Sequence, residues 1–157
     1  MSTLKNEPFS VEIDVTDIEN SIIARMAAAE ALREASAADT SETVARAHSP
    51  VLPAQYGRQL LRPARGRAID TLVSRLSAWA EAEVSGTALK LSFDGGRTDG
   101  RTPMDNQRLY IERKVRAALM AAIEAEVASM ALLPDASEAR ERADDALDSL
   151  LASFVAL

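Results

Sequence analysis

The chain has 157 residues, no cysteine, one histidine, 4% aromatic residues and a formal net charge of −6. A chain of this length buries roughly 68–70% of its unfolded surface, so it can hold a core without disulfides or a structural metal. Lack of cysteine excludes cross-links and thiolate metal sites, no run approaches the ~20 apolar residues of a membrane span, and Met1 to Pro8 lack the basic-then-apolar order of a secretory signal.

Phe9-Ser10-Val11-Glu12-Ile13-Asp14-Val15 alternates apolar and polar residues, which predicts a half-buried strand over 9–15. Thr16 or Asp17 then predicts a helix cap, with Glu19 completing a capping box. The helix that follows, from Asp17 to about Ala38, places Ile18, Ile22, Met26, Ala29 and Leu32 on one face. Glu42 to His48 reads as a turn of helix, Ser49 to Pro53 as a connector, and Ala54 to Leu61 as a short helix that Pro63 and Gly66 punctuate. Ile69, Leu72, Val73, Leu76, Trp79, Ala80 and Val84 predict one amphipathic helix ending near Ser85-Gly86.

Ala88-Leu89-Lys90-Leu91-Ser92-Phe93 alternates again, within a strand–loop insertion over 87–102. A lone strand leaves backbone groups open to another chain. The two alternating segments are therefore expected to pair with each other or to be completed by another subunit. A long helix from about Pro103 to Leu132 follows, stopped by Pro134, and a last helix opens at Asp135–Glu138 with Ala139, Ala143, Leu147, Leu150 and Phe154 on its apolar face. The whole predicts a single mainly α domain over 1–157, a bundle of about four main helices with a small two-stranded β element. Leu, Ala, Glu and Arg suit helices, and abundant alanine favours close helix approach.

Charge is partitioned along the chain. Residues 1–50 hold 4 basic and 9 acidic groups, net −5; residues 51–116 hold 12 and 7, net +5; residues 117–157 hold 2 and 8, net −6. A basic middle between acidic ends can satisfy itself within the fold or across copies. The acidic total argues against unselective nucleic-acid binding.

Candidate chemistry is sparse. His48 stands alone in a proline-flanked connector with no G-x-S-x-G elbow in the chain, so a surface or capping role is expected. Asp94-Gly95-Gly96-Arg97-Thr98-Asp99-Gly100 lacks the lysine and hydroxyl of a P-loop and the ligand spacing of an EF-hand, which leaves a strand-to-helix connector. Glu124 and Glu126 are two apart and do not share a helix face. Arg108, Arg113, Lys114 and Arg116 are expected to form a solvated face, from which Arg113 and Lys114 can pair with acids of the last helix. No catalytic residue, metal ligand or cofactor is expected.

The sharpest cluster is Arg58, Arg62, Arg65 and Arg67, in a stretch without an acid from Val51 to Arg67. It can meet phosphate, an acidic protein surface, or solvent. The candidate interaction set joins these to the strand residues Phe9, Val11, Ile13, Leu89, Leu91 and Phe93, and to the loop residues Arg97 and Arg101.

The layout resembles small tailed-phage virion proteins of the head–tail connector, or neck, class. The resemblance lies in Phe9–Val15, Ala88–Phe93, the loop Asp94–Thr102 and the helix opening Met104 to Lys114. It implies a structural role without catalysis, joining the portal side of a capsid to the tail. The partners expected are further copies of the chain, a ring among the forms, and other structural proteins, with no membrane. Synthesis is expected in the cytoplasm and residence in a virion. The alternative is a small nucleic-acid-binding regulator using Arg58–Arg67.

Overall fold

The computed structural model describes residues 9–39, 53–93 and 104–155. Strand β1 (Phe9–Asp14) leads into α1 (Val15–Asp39); α2 (Ala54–Leu76), β2 (Ala80–Ser85), β3 (Ala88–Phe93), α3 (Met104–Met130) and α4 (Ala136–Val155) follow. The fold is mainly α, four helices with one small antiparallel sheet among the described residues. The sheet has three strands in the order β1-β3-β2, one more than the sequence led us to expect.

β1 and β3 pair within the chain, with Phe9 opposite Phe93, Val11 opposite Leu91 and Ile13 opposite Leu89. Alternation sends these apolar side chains to one face, where Val11, Ile13, Leu89, Leu91 and Phe93 are buried. The polar set, Ser10, Glu12, Asp14, Lys90 and Ser92, faces solvent. One residue later the chain turns into α1. Asp14 caps that helix by accepting the Thr16 N–H at 2.9 Å, so the cap falls before the Thr16 or Asp17 read from the capping-box pattern. Ile18 and Ile22 are buried, Met26 is half-buried, and Ala29 and Leu32 are exposed, so only the first half of α1 joins the core.

α2 is one continuous helix through Pro63 and Gly66, which were expected to interrupt it. Proline removes one hydrogen bond to the carbonyl four residues back. Here both Pro63 and Gln59 are exposed, so water can serve that carbonyl. The flanking Leu61, Ala64 and Ala68 are buried and hold both halves to the core. Packing outweighs the local break.

The helix ends at Leu76, not near Ser85. Trp79 donates its backbone N–H to Leu76 O at 2.9 Å in a closing turn, and its ring stacks on Phe154 at 5.6 Å between centroids. The chain then reverses into β2. Ala80–Ser85 pairs antiparallel with β3, Ser85 opposite Ala88, around the two-residue loop Gly86-Thr87. Gly86 has φ +60°, the conformation a type II′ hairpin requires at its first loop position and one that glycine adopts without a Cβ clash.

The helices back one face of the sheet. Val15, Ile18, Leu61, Leu72, Leu76, Val115, Leu119, Ile123, Leu147 and Leu150 join the inward strand residues in a single core. A second cluster, Ala125, Ala128, Ala139 and Ala143, lies between α3 and α4, where short side chains let the two helices approach closely. All three phenylalanines and the single tryptophan of the chain form one stacked series, Phe9–Phe93–Phe154–Trp79, with centroids 5.0 to 5.6 Å apart. It ties the end of α4 to the sheet. α3 closes with a Schellman motif: Leu133 N–H donates to Ala128 O and Leu132 N–H to Ser129 O.

Candidate functional site

Most residues expected to form an interaction surface are spent on the fold. Val11, Ile13, Leu89, Leu91 and Phe93 are core, and Phe9 is half-buried against Phe93. Alternation marks a strand's buried face as readily as a binding face. Arg65 pairs with Glu19 at 2.8 Å, both side chains largely buried, and Arg67 lies 4.0 Å from Glu126. Arg58 and Arg62 are exposed on α2 and have no ion pair among the described residues. Arg97, Arg101 and His48 lie outside the described residues.

The charge partition closes in part at home. Arg65, Arg67 and Arg75 of the basic middle reach Glu19, Glu126 and Asp148 in the two acidic flanks. Glu126 is also held by Arg140 at 3.0 Å, and Glu124 by Arg25 at 2.6 Å. The two glutamates thus serve separate ion pairs.

Lys114, expected on a solvated face within reach of acids, is half-buried, donates to Ser149 Oγ at 2.6 Å and sits 5.0 Å from the Tyr110 ring centroid. Lys114 and then Ser153, by hydrogen bonding, hold the Tyr110 phenol below its usual range. A serine, a lysine and a tyrosine together suggest nucleophile chemistry. Activation needs a base that accepts the serine proton, whereas here the Ser149 hydroxyl accepts from Lys114. Ser153 in turn donates to the Ser149 carbonyl at 3.2 Å, so the cluster closes on itself as a clamp between α3 and α4.

Among the described residues no group of His, Asp or Glu gathers to hold a metal, and no buried polar side-chain atom lacks a partner. No described helix is long and apolar enough to cross a membrane. A groove of about 260 Å³ lies between α1, α3 and α4, floored by Ala117, Met120 and Ala121, with Arg25 and Arg142 at its rim.

β1 and β2 are both edge strands among the described residues, and β2 is the one whose apolar face is also left uncovered. Val15 N–H donates to Thr87 O at 2.8 Å, which sets the phase of the ladder. Odd-numbered residues of β3 bond to β1, and Ala88, Lys90 and Ser92 bond to Ser85, Glu83 and Glu81. Ala80, Ala82 and Val84 therefore turn their N–H and C=O groups away from the sheet, along a strand with no neighbour on that side among the described residues. Their side chains share the inward face of Leu89, Leu91 and Phe93. The helical layer reaches Ala80 but stops short of the other two, leaving Ala82 exposed and Val84 53% exposed. β2 combines a free backbone edge with an uncovered apolar face, while Glu81 and Glu83 stand on the solvent side.

This element was missed because alanine and glutamate are strong helix formers, and because Trp79, Ala80 and Val84 fit a helical face. The signal was present in the strict alternation Ala80-Glu81-Ala82-Glu83-Val84-Ser85, followed by two loop residues and a second alternating run.

No protein-family model matches the sequence, and neither a curated protein nor a solved structure matches the chain.

Proposed function

We propose that this chain is a non-enzymatic assembly protein that works by docking against other protein chains, in the setting of the phage head–tail connector proteins whose layout it resembles. The observation that carries the reading is β2: outward backbone groups at Ala80, Ala82 and Val84, beside an apolar face the helices leave open. Such an edge is a template for a further strand. Monomeric proteins usually blunt or cover one. The docking edge of this reading is β2 and not β1 or β3, whose apolar residues are occupied at home.

The alternative, nucleic-acid binding through Arg58–Arg67, has less support. Arg65 is engaged by Glu19, which leaves Arg58, Arg62 and the exposed, loosely held Arg67 as the basic groups of this stretch, with Tyr56 exposed nearby.

Ala82→Pro tests the reading. The Ala82 N–H points outward, so proline there spares the bonds to β3 and blocks only a strand added outside. The native assembly, isolated from its source, should contain the wild-type chain at a fixed ratio to other subunits. The variant, with an unchanged circular dichroism spectrum, should be left out. A wild-type chain found only free in its source, or a folded variant incorporated as well as wild type, overturns the reading.

A further inference from the structure

The geometry points to the outer edge of β2 as a docking site for an extended segment of a different protein that alternates apolar and basic residues, and not for a second copy of this chain. The inference rests on the docking reading above and assigns its partner. It follows from what each side of the sheet would meet.

Residues directly opposite one another on paired strands share a face. On the solvent face β1 carries Glu12 and Asp14, and β2 carries Glu81 and Glu83. The central strand carries Lys90, opposite Glu12 on one side and Glu83 on the other. The sheet is therefore built with one basic position between two acidic edges. A strand added outside β2 continues that order if it is basic at the same level.

Self-association at the edges is opposed by the same charges. Joining β2 to β2 of a second copy with the faces in register sets Glu81 or Glu83 against a glutamate in each well-overlapped alignment. Joining β2 to a second copy's β1 sets Glu81 and Glu83 against Glu12 and Asp14. Like charges directly opposite are destabilising, and inward or flanking charges are a common guard on sheet edges. A ring closed through these edges is therefore disfavoured. On the other face Ala82 and Val84 are small and exposed, which suits a β-branched residue at the alternate positions of the incoming segment. Basic residues toward solvent and valine-like residues toward the helices describe the ligand.

The test uses the full chain, isotopically labelled, and capped synthetic hexapeptides: alternating Val and Lys, alternating Val and Glu, alternating Val and Thr, and a block peptide of three Val then three Lys. The Val–Lys peptide should shift the backbone amides of Ala80, Ala82 and Val84 above all others and bind more tightly than the other three. Glu81→Lys, which faces Ser92 and leaves the Glu83–Lys90 position alone, should weaken it about tenfold. Ala82→Pro should abolish it.

Equal binding of the Val–Glu or block peptide overturns the proposal, as does binding of the Val–Thr peptide at β2 in preference to Val–Lys. In that last case the edge still docks strands and the functional reading stands. β2 amide shifts that follow protein concentration without peptide overturn it in favour of a second copy. No β2 shift with any peptide also overturns it, and the assembly measurement with Ala82→Pro then decides the functional reading separately.

Discussion

Leu132 sits at φ +53°, the left-handed region, at the position after the α3 C-cap where glycine is usual. A leucine there has its Cβ against the following carbonyl, at a cost of roughly 1–2 kcal/mol. Its side chain is 88% exposed, so burial offsets little of that strain. Glycine would relieve it and give back part through its freer unfolded chain. Leu132→Gly is expected to raise unfolding stability by about 0.5–1 kcal/mol in a urea titration; a loss of stability would show that the leucine makes packing contacts that offset the strain. The same scale explains the clamp at Lys114: it joins α3 to α4 through Ser149, with the Tyr110 ring beside its ammonium group.

At the scale of elements, the stack Phe9–Phe93–Phe154–Trp79 joins β1, β3, the turn into β2 and the end of α4. Truncating a fully buried phenylalanine costs about 3–5 kcal/mol. Phe154 is half-buried, so Phe154→Ala should cost about 2–3 kcal/mol on the same scale. It should also shift Trp79 fluorescence to the red as the indole loses its cover; an unchanged emission maximum would mean that the ring has another shield. Much of this level was legible in the sequence. Strict alternation marked Phe9–Asp14 and Ala88–Phe93, and helical spacing with a proline stop marked α3 and α4. Two elements were misread for physical reasons. Pro63 and Gly66 weaken α2 locally, yet Leu61, Ala64 and Ala68 bind it to the core from both sides. Ala80–Ser85 has helix-forming composition, but pairing with β3 and capture of Trp79 by Phe154 draw it into the sheet. Tertiary context prevailed over propensity in both, and the second case hid the candidate docking edge. The arginine cluster was legible as residues but not as contacts, because Glu19 and Glu126 lie far from it along the chain.

For the whole molecule, charge is what separates the predictions of the two readings. Basic residues of the middle are drawn into ion pairs with both acidic ends, and the sheet's solvent face is acidic around Lys90. With a net charge of −6, the body repels phosphate at long range. Double-stranded DNA or single-stranded RNA at 150 mM salt is therefore expected to show no salt-dependent binding that the double substitution Arg58→Ala with Arg62→Ala removes, as measured by fluorescence anisotropy. Binding lost in that variant would favour the regulator. The proposed function requires that β2 be an open strand that a partner completes. Residue-resolved hydrogen exchange reads this directly. In the isolated chain the outward amides of Ala80, Ala82 and Val84 should exchange fast, and those of β3 slowly. In the native assembly the β2 amides should become protected. Outward amides of β2 already as slow as those of β3 in the isolated chain, or unchanged on assembly, would contradict it.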